Sequence, residues 1–176
     1  MKRIYTIGHS TRGLAELVAL LREHGVRRLA DVRRFPGSQR HPHFSRESLQ
    51  HSFPEHRIDY LHFEDLGGRR SPSKISENTA LESDAFRGYA DHMATPAFDA
   101  AITRLLDADV RTAIMCAESN PSNCHRQLLA DDLLRRDIEV VHILGPGKWK
   151  FHSLHPLARL ERDRVIYPAP QKSMFD

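Results

Sequence analysis

The feature that most constrains the chain lies in its first 32 residues, where a strand pattern, a helix pattern and a second strand pattern follow one another. Ile4, Tyr5, Thr6 and Ile7 are the β-branched and aromatic types that suit a buried strand, and Gly8 punctuates them. Leu14, Leu17, Val18 and Leu21 then recur at helical spacing. Ser10 or Thr11 is the expected cap of that helix, Glu16 falls in its early turns, and Gly25 marks its stop. Residues 28–32 supply the second strand. A strand, a helix and a strand within about 30 residues read as a right-handed crossover, which is a unit of a parallel sheet.

The alternation continues. Residues 57–61 suit a third strand, 110–116 are the strongest later strand and 139–144 the last. Ser45 is expected to cap a short helix through Leu49. A longer helical stretch is interrupted at Thr95-Pro96, where proline can open a new first turn. Residues 122–136 form an amphipathic helix with Leu128, Leu129, Leu133 and Leu134 on one side. The expectation is one domain over residues 1–176, an α/β fold built as a three-layer α/β/α sandwich around a mostly parallel sheet. No internal repeat or second-domain boundary is visible. Residues 71–83 are polar, and a loop that long inside a domain is expected to be a lid or binding segment.

Composition narrows the function classes. Hydrophobic residues are 40% of the chain and charged residues 28%, which argues against disorder. No apolar run approaches the roughly 20 residues that span a bilayer. The N-terminus lacks the apolar run and cleavage site of a signal peptide, so no membrane partner and a cytoplasmic location are expected. The only cysteines, Cys116 and Cys124, are too few for a disulfide framework and are expected to be reduced. Lys and Arg total 26 against 23 Asp and Glu, a net charge of +3, which permits a phosphate-bearing partner without demanding one. Arg33, Arg34, Arg40, Arg69 and Arg70 all fall in the first half, near turn formers.

In open parallel sheets, ligands bind outside the carboxyl ends of the strands. Applied here, that rule gathers His9 and Ser10 after the first strand, Asp31 and Arg33 at the end of the second, and Cys116 and Glu118 after the fourth. Ser122 or Asn123 is expected to cap the following helix, so Cys124 and His125 fall in its first turn, next to Arg126. A thiol there feels the positive end of the helix dipole, which favours thiolate. Free main-chain N–H groups and Arg126 suit a phosphate or carboxylate, and Glu118 suits a general base or an orienting group. Plainer roles weigh about equally: Cys116 as a small core residue, Arg126 paired with Glu118 to hold the loop, His9 capping backbone groups, and Asp31 with Arg33 bridging loops.

Several devices do not fit. A thiol phosphatase or sulfur transferase loop needs an arginine after five intervening residues, and from Cys116 that position is Ser122. Neither a Walker loop nor Gly-x-Gly-x-x-Gly follows the first strand. The cofactor is left open. Zinc on Cys116, Cys124, His125 and His9 is possible but disfavoured, because the spacing matches no standard pair of pairs and adjacent Cys124 and His125 rarely reach one ion together.

Thr6-Ile7-Gly8-His9-Ser10, Asp31-Val32-Arg33 followed by Pro36 and Ser38, Leu66-Gly67-Gly68, and Cys116-x-Glu118 leading into Cys124-His125-Arg126 resemble, in order, the motifs of the family called domain of unknown function 488. The resemblance runs over about residues 3–145 and leaves 146–176, with Trp149, as a C-terminal extension. It implies a bacterial or archaeal cytoplasmic α/β protein, it implies that these motifs form one site, and it implies no particular reaction.

The leading expectation is an enzyme acting on a phosphate-bearing nucleotide or nucleic-acid substrate. His9, Asp31 and Glu118 would move protons, and Cys116 or Cys124 would be the nucleophile. Ser10, Arg33, Ser38, Gly67, Gly68, Arg69, His125 and Arg126 would bind substrate. One rival is a non-catalytic nucleic-acid or nucleotide-binding module with a basic, partly aromatic surface of Arg33, Arg34, Arg40, Phe44, Arg69 and Arg70. The other is a thiol redox or metal-binding protein. Oligomeric state is left open.

Overall fold

The computed structural model describes residues 1–37 and 39–171. Along the chain run β1 (Arg3–Gly8), α1 (Leu14–Glu23), β2 (Arg28–Asp31), α2 (Arg46–Ser52), β3 (Asp59–His62), α3 (Asp84–His92), α4 (Pro96–Leu106), β4 (Thr112–Cys116), α5 (Arg126–Arg135), β5 (Glu139–Gly145), β6 (Lys148–Phe151) and a small hairpin of β7 (Arg159–Leu160) and β8 (Val165–Ile166). The main sheet has the order β3-β2-β4-β1-β5-β6. Its first five strands are parallel and β6 is antiparallel. This is the expected α/β sandwich with a mostly parallel sheet.

Side chains alternate across each strand, so each face of the sheet has its own core. On one face Leu17, Val18, Leu20 and Leu21 of α1 pack with Leu49 of α2 against Tyr5, Ile7, Leu29, Ala113 and Met115. On the other, Tyr89, Phe98, Ile102, Leu128, Leu129 and Leu133 from α3, α4 and α5 cover Ile4, Ala30, Ile114 and Val140. Each fully buried side chain of this size contributes about 1.5–3 kcal/mol, and both faces are covered as a parallel sheet requires.

The register brings the strand ends level. Gly8 pairs with Cys116, and Asp31 pairs with both Met115 and His62. The loops after β1, β2, β3 and β4 therefore leave the sheet side by side.

Four local expectations change. α1 begins under Gly13 with no side-chain cap, and Ser10 takes a left-handed φ of 45° instead of capping. Arg12 straps this loop to the sheet through the carbonyls of Gly8 (3.1 Å) and Leu144 (3.0 Å). α5 begins at Arg126 rather than 122, because Asn120 caps a separate short turn, Pro121–Asn123, by accepting the Ser122 N–H at 3.0 Å. Cys124 is left extended between turn and helix. Residues 71–83 are fastened to Asp91 of α3, which accepts from Ser73 N, Ser76 Oγ and Asn78 Nδ2 at 2.6–2.8 Å. They line a cavity of about 350 Å³ with Val165 and Ile166, away from the strand ends, and not the site below. Finally, residues 139–144 are not the last strand: β6 adds an edge strand and the hairpin packs Val165 into the core. Ser45 does cap α2, and Thr95 caps α4 with Pro96 in its first turn.

Candidate functional site

A cavity of about 630 Å³ opens where the four loops leave the sheet. Of the residues expected there, His9, Ser10, Arg33, Gly68, Arg69, Cys116, Glu118, Cys124 and His125 line it. Asp31, Gly67 and Arg126 lie behind its wall instead, and Ser38 lies outside the described residues. Thr11, Phe35 and His41 line the cavity without having been singled out.

The floor is a pair of thiols on a buried arginine. Cys116 Sγ and Cys124 Sγ are 3.0 Å apart and unbridged. Arg126, 1% exposed, donates to Cys124 Sγ from Nε at 3.3 Å and from its main-chain N–H at 3.4 Å. Its other nitrogens reach Thr6 Oγ1 (3.1 Å) and the carbonyl oxygens of Glu118 (2.6 Å) and Ser119 (3.4 Å). Among the described residues, no carboxylate pairs with it. The hydrogen bond from Cys116, aided by Arg126, lowers the Cys124 thiol to about 6 against the opposing effect of burial. Burial, with the bond to Cys124, pushes Cys116 well up. One proton thus sits on Cys116 and is offered to a Cys124 thiolate. The Glu118 carboxylate is exposed at the mouth, and it is the carbonyl of this residue that holds Arg126. Gly8 makes this possible, since a Cβ there would lie 1.8 Å from the Glu118 carbonyl oxygen.

The second arginine of the wall is arranged differently. Arg33 donates to both oxygens of Asp31 (2.9 and 2.7 Å), to the Phe44 carbonyl (2.6 Å) and, through Nη1, to His9 Nε2 at 3.3 Å. Asp31 is fully buried and also accepts from the Arg33 main chain and from Tyr60 Oη. Every Asp31 oxygen is therefore committed to holding Arg33, and this carboxylate is a positioning group. His9 donates Nδ1–H to the Ser10 carbonyl (3.0 Å) and stacks on Phe44, with ring centres 4.5 Å apart. Burial lowers it to about 4, so it is neutral at physiological pH.

The rim carries cations that pair with no carboxylate among the described residues. Arg34, Arg40 and Arg69 line the mouth, and Arg34 donates to the Arg69 carbonyl at 2.8 Å, its guanidinium 5.3 Å above the exposed ring of Phe35. Among the described residues Arg34 Nε is buried without a partner. Gly67 lets Arg34 approach, because a Cβ there would meet the Arg34 backbone at 2.7 Å. His125 donates Nε2–H to the Val32 carbonyl at 3.2 Å, which leaves Nδ1 as its acceptor, beside Gly68. Burial lowers His125 to about 4. Phe44, expected as a surface aromatic, is fully buried, and Phe35 takes that place at 60% exposure. Arg70 turns away to the carbonyls of Gly67 and Glu64.

Behind the floor runs a buried chain of hydrogen bonds that the sequence did not reveal. The Thr6 hydroxyl accepts from Arg126, so its one proton goes to His142 Nδ1 at 2.6 Å. His142 then donates Nε2–H to His152 Nδ1 (2.9 Å), and His152 donates to Asp131 Oδ1 (2.8 Å). Tyr167 closes the chain on Asp131 Oδ2 at 2.6 Å. Burial lowers His142 to about 3, and it is neutral.

Among the described residues no group of three or more His, Cys, Asp or Glu is arranged to hold a metal ion. His9 and His125 each turn a ring nitrogen to a backbone carbonyl rather than toward the thiols. Among the described residues no helix is long and apolar enough to cross a membrane.

Fold and site together define an α/β protein with a thiol–arginine centre at the carboxyl edge of a parallel sheet. Residues 13–133 match the family described as domain of unknown function DUF488, and the chain belongs to that family. No curated protein and no solved structure matches the chain.

Proposed function

We propose that the protein is an enzyme that uses the Cys124 thiolate as nucleophile on a phosphate-bearing nucleotide or nucleic-acid substrate. The observation that carries this reading is the buried Arg126, whose anionic partner is the Cys124 sulfur, at the floor of a cavity rimmed by Arg34, Arg40 and Arg69. A thiolate beside a guanidinium and a main-chain N–H is available as nucleophile at neutral pH. The rim arginines have the geometry for phosphate oxygens. Arg33 and Arg126 do not share that role, since their nitrogens are spent on internal acceptors. His125 Nδ1 and the exposed Glu118 carboxylate are the groups available for proton transfer at the mouth.

The test is a thermal-shift screen of nucleotides and short oligonucleotides, followed by turnover assays on whatever binds. Cys124→Ser should retain binding and lose turnover. Arg34→Ala and Arg69→Ala should each weaken binding and reduce its salt dependence by about one unit of slope. Anion affinity that survives loss of both arginines defeats the reading. A second reading, a non-catalytic binding module, is favoured by the exposed Phe35 beside three arginines, a platform on which a base can stack. It wins if binding is found and neither Cys124→Ser nor any assay reveals chemistry.

A further inference from the structure

The two sulfurs of the floor stand closer than any non-bonded pair needs to. We propose that Cys116 and Cys124 form a reversible dithiol–disulfide pair that reacts with hydroperoxides, so that oxidation removes the nucleophile proposed above. The pairing itself rests on the geometry of the thiols, and only its consequence for turnover rests on the reading of Cys124 as nucleophile.

The Sγ atoms lie 3.0 Å apart. A disulfide bond is about 2.05 Å long, so the sulfurs need to close by roughly 1 Å. Cys116 is held at the end of β4, paired with Gly8 of β1. Cys124 is the extended residue between the Pro121–Asn123 turn and α5, its main chain tied to both by its N–H on the Pro121 carbonyl (3.4 Å) and its carbonyl under the Gln127 N–H (3.1 Å), so the remaining approach falls to side-chain torsion. Both thiols line the same cavity, with Cys124 the more exposed at 7% against 2%. The division of protons also suits two successive steps, because the attacking sulfur must be a thiolate and the resolving sulfur needs only to lose its proton later. The chain holds no other cysteine to compete.

In the first step the Cys124 thiolate attacks the terminal oxygen of the hydroperoxide. The O–O bond breaks, sulfur gains the oxygen as a sulfenic acid, and the departing alkoxide takes a proton from solvent. In the second, Cys116 loses its proton to solvent and attacks the Cys124 sulfur, forming the S–S bond and expelling hydroxide, which becomes water on protonation. Two thiols and one hydroperoxide give one disulfide, one alcohol and one water, and two electrons pass from sulfur to oxygen. An external dithiol reverses the state by exchange, leaving as its own disulfide.

The experiment treats the fully reduced protein, without nucleotide, with one equivalent of hydrogen peroxide at neutral pH. It is then quenched with N-ethylmaleimide in denaturant and its intact mass is read. Two labels per chain are expected before treatment and none after, with a mass lower by two hydrogens and both labels restored by dithiothreitol. Cys116→Ser should stop at the sulfenic acid, trapped by dimedone at position 124. The pair is refuted if treated wild-type protein still accepts two labels, if it keeps one label with an oxygen on the other sulfur, or if it cross-links between chains. The wild-type result decides even if the variant fails to fold. A disulfide that forms in a protein with no turnover on any nucleotide would sink the enzyme reading and leave the pair standing. Turnover with no disulfide does the reverse.

Discussion

Two arginines lie buried within one wall of this molecule, and they are put to opposite uses. Arg33 meets a carboxylate along one edge, with Nε and Nη2 on the two oxygens of Asp31 at 2.9 and 2.7 Å, so its charge is cancelled where it stands. Arg126 meets a hydroxyl, two carbonyls and a sulfur. A buried cation without a counter-ion costs several kcal/mol, and the group beside Arg126 able to supply the charge is the Cys124 thiol. The same residue type at the same depth is structural where an acid was provided and chemical where it was not.

Asp31→Asn should break the first arrangement with the largest effect. It leaves Arg33 buried without its anion and should cost about 3–5 kcal/mol of stability, read by urea unfolding. The titration midpoint of Cys124 should not move, and a midpoint that rose as much as in the next variant would erase the contrast. Arg126→Met sharpens it from the other side. The methionine fills much of the space, and Cys124 can revert to a neutral thiol, so less stability is lost than with Asp31→Asn. The Cys124 midpoint, followed by thiolate absorbance or alkylation rate against pH, should climb from about 6 toward the roughly 8.5 of an ordinary thiol. Linkage gives a second readout. The folded value is depressed, so Cys124 adds stability that is full above the ordinary thiol pKa and is lost as pH falls toward about 6. That slope should shrink in Arg126→Met, with whatever the Cys116 hydrogen bond sustains left behind.

Much of this was legible in advance for a physical reason. Strand and helix periods in residues 3–32 allow one chirality of connection, and a parallel sheet brings strand ends to one edge, so His9, Arg33, Cys116 and Cys124 could be gathered without coordinates. What each group does there was not legible, because residue type does not say which neighbour satisfies a charge. Asp31, expected to move protons, and Arg126, expected to bind substrate, both face inward. The late start of α5 did have a signal: Asn120 precedes Pro121, a cap followed by proline in the first turn, and it outcompetes Ser122. Phe44, expected at the surface, is buried because it is drawn under His9. The His142–His152 contact depends on β6 folding back antiparallel onto β5, a pairing that no local pattern announces.

The smallest effect belongs to Thr6, which joins Arg126 to that histidine chain. Its hydroxyl has one proton, accepts from Arg126 at 3.1 Å and must donate to His142 at 2.6 Å, and this sets every donor from Thr6 to Asp131 in one direction. Thr6→Val keeps the shape and removes both bonds. It leaves a guanidinium N–H and an imidazole nitrogen without partners, at a cost of about 1–3 kcal/mol. The Cys124 midpoint should shift far less than in Arg126→Met, since the Nε and main-chain bonds to sulfur remain. Thr6→Ser restores the hydroxyl and should recover most of the stability. If Thr6→Val instead moved the midpoint as far as Arg126→Met does, Arg126 would owe its hold on the thiolate to the histidine chain, and the two buried arginines would be alike after all, each governed by a distant or adjacent carboxylate.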